Sequence, residues 1–363
     1  MKIEILKKDF EEALQGASRA VGKNLTLPLL SNIYLKAEKN KLTIRATNLT
    51  IGVEYYLSVK SDEIFEVALP TQTLLQSVHA LSNEKLSLTF SQGNISIETK
   101  ERKLLIKGVS SEEFPTIPMV SGTAYTIPIK QFLDGLKSVS FSSAQSDIKP
   151  EIASVYIYPT TNNLVFVATD SFRLSEKKIS LKGIQNFSPI LIPTKHIADI
   201  VRILEDVGGE IEFLVSKNQI AFSGKSFYLT SRLVDGVYPD YQQIIPKDKT
   251  TTVTMLKSDL LDALRVSNVF SDKFGHMTLS VDPKTKSCGI YTVSDIGENK
   301  ADIQAALEGD AMEVHLNIRY LTEALGIIPD DSVTLSILNP SKPVVMTPVG
   351  NQSFLYLIMP MNR

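Results

Sequence analysis

The sequence predicts an α+β protein made of three similar tandem domains, each with two helices packed on curved antiparallel sheets. One strand-turn-strand signal occurs three times, at residues 42–52, 167–174 and 289–297. The length of 363 residues exceeds the roughly 100–200 residues of one domain. Like elements recur about every 125 residues, far above the periods of solenoid repeats. Duplication of a whole domain explains all three observations.

We place the three predicted domains at residues 1–122, 123–248 and 249–363. A connector bounded by prolines precedes each internal boundary, at residues 114–118 and 238–246. Proline fixes its own backbone and restricts the residue before it, so such segments are typical of links between packed elements.

The first domain begins with a strand at residues 3–6, followed by a helix that Asp9 can cap. We expect this helix to end near Gly22. Its apolar positions have helical spacing and are Phe10, Ala13, Leu14 and Ala17. A second helix is predicted at residues 72–81. The other predicted strands are 27–37, 41–46, 52–58, 64–67, 85–90, 94–99 and 103–108.

The same order returns twice. The predicted helices of the second and third domains are 128–140, 194–207, 258–269 and 317–325. The predicted strands of the second domain are 125–127, 152–158, 163–168, 210–215, 219–223 and 226–232. Those of the third are 251–255, 276–281, 288–293, 332–338, 343–348 and 354–360.

The composition is that of a soluble globular protein, with 43% hydrophobic and 21% charged residues. The formal net charge is −2, so no overall positive field draws the chain to nucleic acid, and any DNA contact must come from a local basic surface. Cys288 is the only cysteine, which excludes an intramolecular disulfide. Because no apolar run resembles a signal peptide or membrane helix, we expect a cytoplasmic protein with no membrane partner.

A search for catalytic motifs is negative. Residues 224–226 read Gly-Lys-Ser like the end of a phosphate-binding loop, but Gln219 stands where the first glycine belongs, and a hairpin is the better interpretation. The histidines lack metal-ligand spacing; His79 and His196 are expected to be solvated or to face a groove, and Cys288 to be a buried thiol. The carboxylates that could serve an acid/base or metal site have no distinctive spacing: Asp147, Glu151, Asp170 and Asp240. We therefore expect no catalytic site, metal or cofactor.

Basic residues recur on or beside equivalent helices of the three domains. They are Lys7, Lys8, Arg19, Lys23, Lys130, Lys137, Lys195, Arg202, Lys257, Arg265 and Arg319. For any single lysine, a solvated helix face is a sufficient explanation. The repetition favours a diffuse surface that binds the phosphate backbone without reading sequence.

The chain resembles the bacterial DNA polymerase III β subunit, the sliding clamp, over its full length. The resemblance rests on four segments in a fixed order. They are Leu-Thr-Leu-Pro-Leu-Leu-Ser-Asn at residues 25–32, Ala-Thr-Asp-Ser-Phe-Arg-Leu at 168–174, Tyr-Pro-Asp-Tyr at 238–241 and Met-Pro-Met at 359–361.

This resemblance implies a non-enzymatic DNA clamp fold. Two chains would join head to tail as a homodimer, and six similar domains would close a ring whose helices line a hole for double-stranded DNA. The implied partners are the replicative DNA polymerase, the clamp loader and repair proteins, which insert short hydrophobic peptides into a pocket between the second and third domains.

The resemblance assigns the peptide pocket to three parts of the chain. The second domain contributes Ile152, Thr169, Ser171, Phe172, Arg173 and Leu174, and the connector contributes Pro239, Gln243 and Ile244. The third domain contributes Phe274, Asn317, Tyr320, Pro343, Met359, Pro360 and Met361. Ordinary core packing is the alternative for Leu174 and Met359. An apolar pocket with a few polar groups suits Leu or Phe anchors.

The resemblance also assigns a DNA-facing set and a subunit interface. The DNA-facing residues are Arg19, Lys23, Asn24, Lys137, Lys149, Lys195, Arg202 and Arg265, with Lys23 and Lys149 as the main carriers because an arginine is common where Lys23-Asn24 stands. The interface pairs Leu104 and Ile106 of one chain with Val269 and Phe270 of the other.

Some positions depart from the family pattern. Ser171-Phe172 replaces Gly-His or Gly-Tyr, Gln243 replaces a basic residue, and Asn362 stands where arginine is usual. These departures predict a different peptide preference. Two alternatives to a clamp stay open at this point: a hydrolase or nuclease that uses the scattered carboxylates, and a peptide-binding scaffold of clamp ancestry that no longer encircles DNA.

Overall fold

The structure is a computed structural model that describes residues 2–22, 27–60, 64–181, 184 and 187–361. The chain folds into two compact units. The first unit contains Met1–Leu133 and Lys195–Leu233, and the second contains Asp134–Thr194 and Val234–Arg363. The middle third of the chain is therefore shared between the two units.

The described residues contain six α-helices, two in each predicted domain. They are α1 (Lys7–Ser18), α2 (Thr71–His79), α3 (Ile129–Ser140), α4 (Thr194–Val207), α5 (Lys257–Val269) and α6 (Ile318–Ile327). This confirms the predicted number and order of the helices. Each buries the apolar face that its spacing predicts; in α1 the buried set includes Phe10, Ala13, Leu14 and Ala17.

The strands that the structure describes pair antiparallel. In the first third of the chain they are β1 (Lys2–Leu6), β2 (Asn32–Glu38), β3 (Lys41–Thr47), β4 (Ile51–Ser58), β5 (Phe65–Pro70), β6 (Lys85–Ser91), β7 (Asn94–Glu98) and β8 (Lys103–Lys107). In the middle third they are β9 (Ala124–Pro128), β10 (Ser154–Pro159), β11 (Asn163–Thr169), β12 (Arg173–Ser180), β13 (Ile190–Pro193), β14 (Glu210–Val215), β15 (Gln219–Ser223) and β16 (Phe227–Arg232). In the last third they are β17 (Thr251–Leu256), β18 (His276–Asp282), β19 (Ser287–Ser294), β20 (Gly297–Asp302), β21 (Ala305–Gly309), β22 (Met312–Asn317), β23 (Ser332–Ile337), β24 (Val344–Pro348) and β25 (Phe354–Ile358).

Each unit contains one large and one small sheet. In the first unit the orders are β5-β2-β3-β4-β16-β15-β14-β9 and β1-β6-β7-β8. In the second they are β13-β10-β11-β12-β25-β24-β23-β17-β21 and β20-β19-β18-β22. The β4–β16 and β12–β25 pairs each join strands of consecutive predicted domains into one sheet. The middle third divides between the units because β16 pairs with a strand of the first domain and β12 pairs with a strand of the third.

The three domains start in the same way at atomic level. The first backbone N–H of α1 donates to the carbonyl of Glu84 at 2.8 Å, and that of α5 donates to Asp331 at 2.8 Å. The N–H of Ile129 at the start of α3 donates to Gly209 at 2.9 Å. In every case the acceptor follows the second helix of the same domain. The predicted triplication is therefore visible in hydrogen bonding that side-chain patterns do not encode.

The repeated strand-turn-strand signal forms hairpins between β3 and β4, β11 and β12, and β19 and β20. The first two turns match atom for atom. The hydroxyl of Thr47 donates to the carbonyl of Ile51 at 2.7 Å, and that of Thr169 donates to Arg173 at 2.6 Å. The third residue of each turn has a positive φ, 71° at Leu49 and 79° at Ser171.

Several local predictions are wrong. Asp9 does not cap α1, since the helix begins at Lys7 and its N-cap position is Leu6; Asp9 instead lies in the first turn, where a carboxylate suits the helix dipole. The helix ends at Ser18 rather than near Gly22. Part of the predicted strand at 27–37 is a 3₁₀ helix, Pro28–Ser31, because proline provides no N–H for a ladder.

Other corrections concern polar residues and short strands. His196 is buried, with Nδ1 2.9 Å from the hydroxyl of Ser231, whereas His79 is exposed as expected. The strands β13, β20, β21 and β22 are not among the predicted ones. The first three carry no strong alternation, whereas β22 alternates apolar and polar residues, Met-Glu-Val-His-Leu-Asn. Among the described residues no helix is long and apolar enough to cross a membrane.

Candidate functional site

The turn at residues 169–173 presents one exposed aromatic side chain. Asp170 Oδ1 accepts the N–H groups of Phe172 and Arg173 at 2.9 and 3.0 Å. Phe172 is 61% exposed, whereas Leu174, two residues later in β12, has no exposed surface. The turn therefore directs Phe172 to solvent and Leu174 into a core cluster with Tyr238, Tyr241 and Leu357.

Arg173 is the most heavily bonded residue of this region and is only 6% exposed. Its guanidinium donates to Asp170 Oδ2 at 2.9 Å, to Glu323 and to the carbonyl of Phe141 at 2.8 Å. It also lies 4.5 Å from the ring centroid of Tyr320. Burial alone lowers the pKa of Arg173, but the bond to Glu323 and the surrounding negative groups raise that pKa above its ordinary value.

The C-terminal segment is held between this turn and an edge strand. The N–H of Met359 donates to the carbonyl of Phe172 at 2.8 Å, and the N–H of Met361 donates to His315 in β22 at 2.9 Å. Met359, Pro360 and Met361 are half-buried. Residues 362 and 363, including the departure at Asn362, lie outside the described residues.

The connector at residues 238–246 packs against β12, in the cluster that contains Leu174. Tyr238 stacks on Tyr156 with ring centroids 4.6 Å apart. The hydroxyl of Tyr241 bonds to Glu176 and lies 2.7 Å from that of Tyr158. Burial, followed by the bond to Glu176, raises the pKa of Tyr241. Tyr238 and Tyr241 are buried, whereas Pro239, which lies between them, and Gln243 and Ile244, which follow them, are exposed.

The third domain presents a second exposed aromatic side chain, Phe274. Phe274 is 58% exposed and lies in a turn where Asp272 Oδ1 accepts its N–H at 2.9 Å. Asn317 caps α6 by accepting the N–H of Tyr320 at 3.2 Å, and its amide donates to the carbonyl of Phe274 at 2.8 Å. The same asparagine therefore fixes the helix start and the loop that carries Phe274.

The structure thus links half of the predicted pocket residues by hydrogen bonds and a cation–ring contact within the second unit. They are Thr169, Ser171, Phe172, Arg173, Phe274, Asn317, Tyr320 and Met359. Gln243 instead donates to Asp240 within the connector at 2.7 Å. Ile152 and Pro343 are buried outside that network, beside Ala144 in the loop before β10 and at the start of β24 respectively. Sequence reasoning missed Asp170, Phe141 and Glu323 as pocket support. Only Asp170 carries a local signal, an Asx residue opening a turn.

The first unit contains a turn and a connector that correspond to those of the predicted peptide pocket but carry different side chains. Phe114 of the first connector stacks on Tyr34 with centroids 5.2 Å apart, as Tyr238 does on Tyr156. A Cβ on Gly52 would lie 2.8 Å from Ile117, so the connector fills the space that a side chain would take at the position corresponding to Leu174.

Most of the predicted DNA-facing residues are exposed, namely Lys137, Lys149, Lys195, Arg202 and Arg265. Arg19 differs because it is bonded to Asp206 at 2.6 Å and to the carbonyl of Arg202. Arg265 is paired with Asp262 at 3.0 Å. Lys23 and Asn24 lie outside the described residues.

Two of the basic residues that the sequence placed on helices, Lys7 and Lys257, donate to backbone carbonyls of their own domains. Lys7 Nζ donates to the carbonyl of Leu81 at 2.5 Å, and Lys257 Nζ donates to Ile328 at 2.7 Å. The two lysines are equivalent in the repeat, and each ties the first helix of its domain to the end of the second. Neither is a solvated residue.

The predicted interface residues lie at outer strands or beside them. In β8, the last strand of its sheet, Leu105 is 63% exposed, Leu104 is half-buried and Ile106 is 5% exposed. Val269 at the end of α5 is exposed, and Phe270 lies near Gly297 in the outer strand β20. Other exposed apolar side chains of α5 and of the β19–β20 hairpin are Val266, Val293 and Ile296.

In the part of the chain that the structure describes, no group of three or more His, Cys, Asp or Glu residues could hold a metal ion. Gly224 to Ser226 is the turn between β15 and β16, which confirms the hairpin. Cys288 is buried, as predicted, and burial raises the pKa of its thiol to about 11. A thiol of that pKa is a poor nucleophile near neutral pH.

Comparison with known proteins gives a consistent result. The family models for the DNA polymerase III beta subunit match residues 1–118 with the N-terminal domain, 126–240 with the central domain and 242–362 with the C-terminal domain. The beta sliding clamp of Synechocystis sp. is 26% identical, and that of Staphylococcus aureus is 23% identical, with 99% of each chain covered in both comparisons.

Solved structures show the same fold. The DNA polymerase III subunit beta of Pseudomonas aeruginosa superposes with a TM-score of 0.95 at 22% identity, covering 100% of both chains. The sliding clamp of Bacillus subtilis gives a TM-score of 0.93 at 22% identity, covering 100% of this chain and 99% of that one. Another Pseudomonas aeruginosa structure is a sliding clamp bound to griselimycin.

Proposed function

The chain belongs to the DNA polymerase III β subunit family, and from this premise we propose that it is the sliding clamp that keeps a replicative polymerase on its template. Members of this family are processivity factors and not enzymes. Two chains form a head-to-tail homodimer that encircles double-stranded DNA and contacts its backbone without sequence specificity. Such a protein works in the cytoplasm, associated with the nucleoid.

The domain boundaries proposed for this clamp are residues 1–122, 123–248 and 249–363. The matched family ranges fall within them except for residues 242–248. Five of those seven residues, 242–246, belong to the connector, whose Tyr241 is bonded to Glu176 of β12. We therefore keep the connector with the second domain.

The observation that carries the partner-binding role is the exposure of two aromatic side chains on bonded supports. Phe172 and Phe274 are both more than half exposed, although burial of each would be favourable by about 1.5–3 kcal/mol. Exposed aromatics held by rigid turns are suited to a Leu or Phe anchor of a short peptide. The proposed ligands are hydrophobic peptide segments of the polymerase, the clamp loader and repair proteins.

The proposed DNA surface consists of exposed cations that do not read bases. Lys149 and Arg202 are exposed, whereas Arg19 is engaged by Asp206. Exposed helix faces also carry acidic groups such as Glu12 and Asp262. Such a mixed surface holds DNA weakly, which suits a protein retained by topology.

The proposed dimer contact joins outer strands. β8 and β20 each end a sheet, and exposed apolar side chains accompany them at Leu105 and Ile296. An unpaired edge with exposed apolar residues is a pairing site that monomeric proteins usually avoid. Analytical ultracentrifugation at micromolar concentration should show a dimer, and a strict monomer would argue against a ring.

A comparison of circular with linear DNA provides the decisive test of the clamp. After loading by its clamp loader onto a nicked plasmid, the protein should co-elute with the circle in gel filtration at high salt. Linearisation by a restriction enzyme should release it, because a ring slides off a free end. Equal retention on circular and linear DNA would refute encirclement.

A further inference from the structure

The first two copies of the repeated turn share a backbone but differ in charge. Asn48 Oδ1 accepts the N–H groups of Thr50 and Ile51 at 3.0 and 2.8 Å. Asp170 accepts the corresponding two bonds in the second copy. Because a neutral asparagine holds the turn equally well, the turn itself does not require the charge of Asp170.

The additional charge is directed to Arg173. Asp170 uses its second oxygen to accept from Arg173 Nε at 2.9 Å. The position that corresponds to Arg173 in the first turn is Ile51, which cannot form these bonds. Arg173 continues to Glu323, so the charged version of the turn extends to helix α6.

Glu323 is well placed to hold Arg173 firmly. It also accepts from Arg319 Nε at 2.6 Å, one helical turn earlier. Tyr320, on the same helix, lies under the guanidinium of Arg173. The carboxylate is therefore fixed between two arginines, and the arginine between two carboxylates and an aromatic ring.

The two ends of this network carry the two exposed aromatic side chains that are assigned to the proposed pocket. The turn carries Phe172, which is exposed and bonded through its carbonyl to Met359. Helix α6 begins beside Asn317, which binds the loop of Phe274. A link between the turn and α6 therefore fixes the relative position of the two exposed aromatic side chains.

We propose that Glu323 is a positioning residue of the partner pocket, which holds Arg173 and through it keeps the Phe172 wall in place against α6. This inference rests on the proposed function of the pocket. A fixed wall spares a short peptide the entropic cost of ordering the turn when it binds. Glu323 does not itself contact the peptide.

The test uses the full-length protein and a fluorescein-labelled hexapeptide that carries adjacent Leu and Phe side chains, with affinity measured by anisotropy. Glu323→Gln should weaken binding about tenfold, because a neutral amide holds the guanidinium less tightly. Glu323→Asp, which keeps the charge, should recover part of the affinity. Glu12→Gln removes an exposed carboxylate from α1 and should bind as the parent does.

A double-mutant cycle with Phe172→Ala separates positioning from general destabilisation. If Glu323 acts through the Phe172 wall, Glu323→Gln should cost little further affinity once Phe172 is absent. An unchanged affinity of Glu323→Gln, or a full tenfold loss in the Phe172→Ala background, would overturn the inference.

The same measurements distinguish this inference from the proposed function. If Phe172→Ala alone binds the peptide as tightly as the parent, the pocket is wrongly placed and the proposed function fails at this site. If Phe172→Ala weakens binding while Glu323→Gln does not, only the positioning role is lost. Thermal unfolding of each variant establishes that it is folded.

Discussion

The backbone N–H of Met359 donates to the carbonyl oxygen of Phe172 at 2.8 Å, and the N–H of Arg232 donates to Thr50 at the same distance. The chain thus uses one backbone scheme twice to attach the end of a domain to the turn of the preceding domain. Since the backbone is alike in both places, the side chains decide which of them can accept a partner.

Phe172→Ala should weaken peptide binding by roughly thirtyfold, which corresponds to the roughly 2 kcal/mol expected of an exposed aromatic hot spot. The side chain is mostly exposed, so the unfolding midpoint should hardly change. Isothermal titration calorimetry with a hydrophobic hexapeptide measures the first effect and thermal denaturation the second. Tyr291→Ala removes another exposed aromatic side chain and is the matched control, which should bind the peptide as the parent does.

Leu174→Ala should behave differently, although the sequence places both residues in the pocket. Leu174 is fully buried in a cluster with Tyr238 and Leu357. Its truncation should reduce the free energy of unfolding by about 2–5 kcal/mol through the lost contacts and the cavity. Urea denaturation checks this. A stable variant that loses only peptide binding would show that Leu174 contacts the ligand directly.

Deletion of residues 359–363 should abolish peptide binding and leave the dimer intact. The deletion removes Met359 and Met361, whose N–H groups bond the tail to Phe172 and His315. His315 lies in β22, at the opposite end of its sheet from the outer strand β20. Sedimentation velocity reports the dimer and anisotropy reports the peptide; a monomeric deletion variant would contradict the prediction.

Reversal of charge at three DNA-facing positions, Lys23→Glu, Lys149→Glu and Arg202→Glu, should weaken retention on DNA. If each residue contacts one phosphate, the slope of log K against log salt should fall by about 3. Unchanged loading would instead favour a peptide-binding scaffold that does not encircle DNA.

The matched control reverses three exposed lysines with the same change of net charge, Lys100→Glu, Lys217→Glu and Lys286→Glu. This triple variant should load and slide as the parent does. Arg19→Gln is a second comparison. Because Arg19 is bonded to Asp206, its loss should affect DNA affinity less than reversal of Arg202.

Cys288 should resist alkylation in the folded protein. Burial raises the pKa of its thiol from 9.0 to about 11, which reduces the thiolate fraction at pH 8 about a hundredfold. A folded-state pKa above the unfolded one contributes stability that is complete below about pH 9 and is lost as pH rises toward 11. Iodoacetamide labelling with and without denaturant checks the reactivity, and equal rates would show the thiol to be accessible.

The order of elements and the triplication could be read from the sequence. Helical spacing in α1 and α4 and alternation in β6 and β14 are local signals, because burial of one face imposes a period on the chain. Short strands with little alternation, such as β20 and β21, could not be read, since their pairing depends on partners distant in sequence.

The candidate site was predictable only in part. Residues 168–174 and the Met-Pro-Met segment could be predicted as pocket residues only because they resemble the pattern of the sliding clamp family. The burial of Leu174 and the exposure of Phe172 were not distinguishable by pattern, since both are apolar residues of one segment. Glu323 gave no signal, because it looks like any exposed helical carboxylate until Arg173 is placed beside it.

The sequence by itself determined three repeated domains, two helices in each, a chain without a recognisable catalytic motif and the segment that we propose as a pocket wall. The tertiary structure alone decided which strands join consecutive domains, which lysines are structural, and how charge links the second turn to α6. The physical reason is that periodicity records which face of an element is buried. Hydrogen bonds and ion pairs between distant residues depend on positions in space that no local pattern specifies.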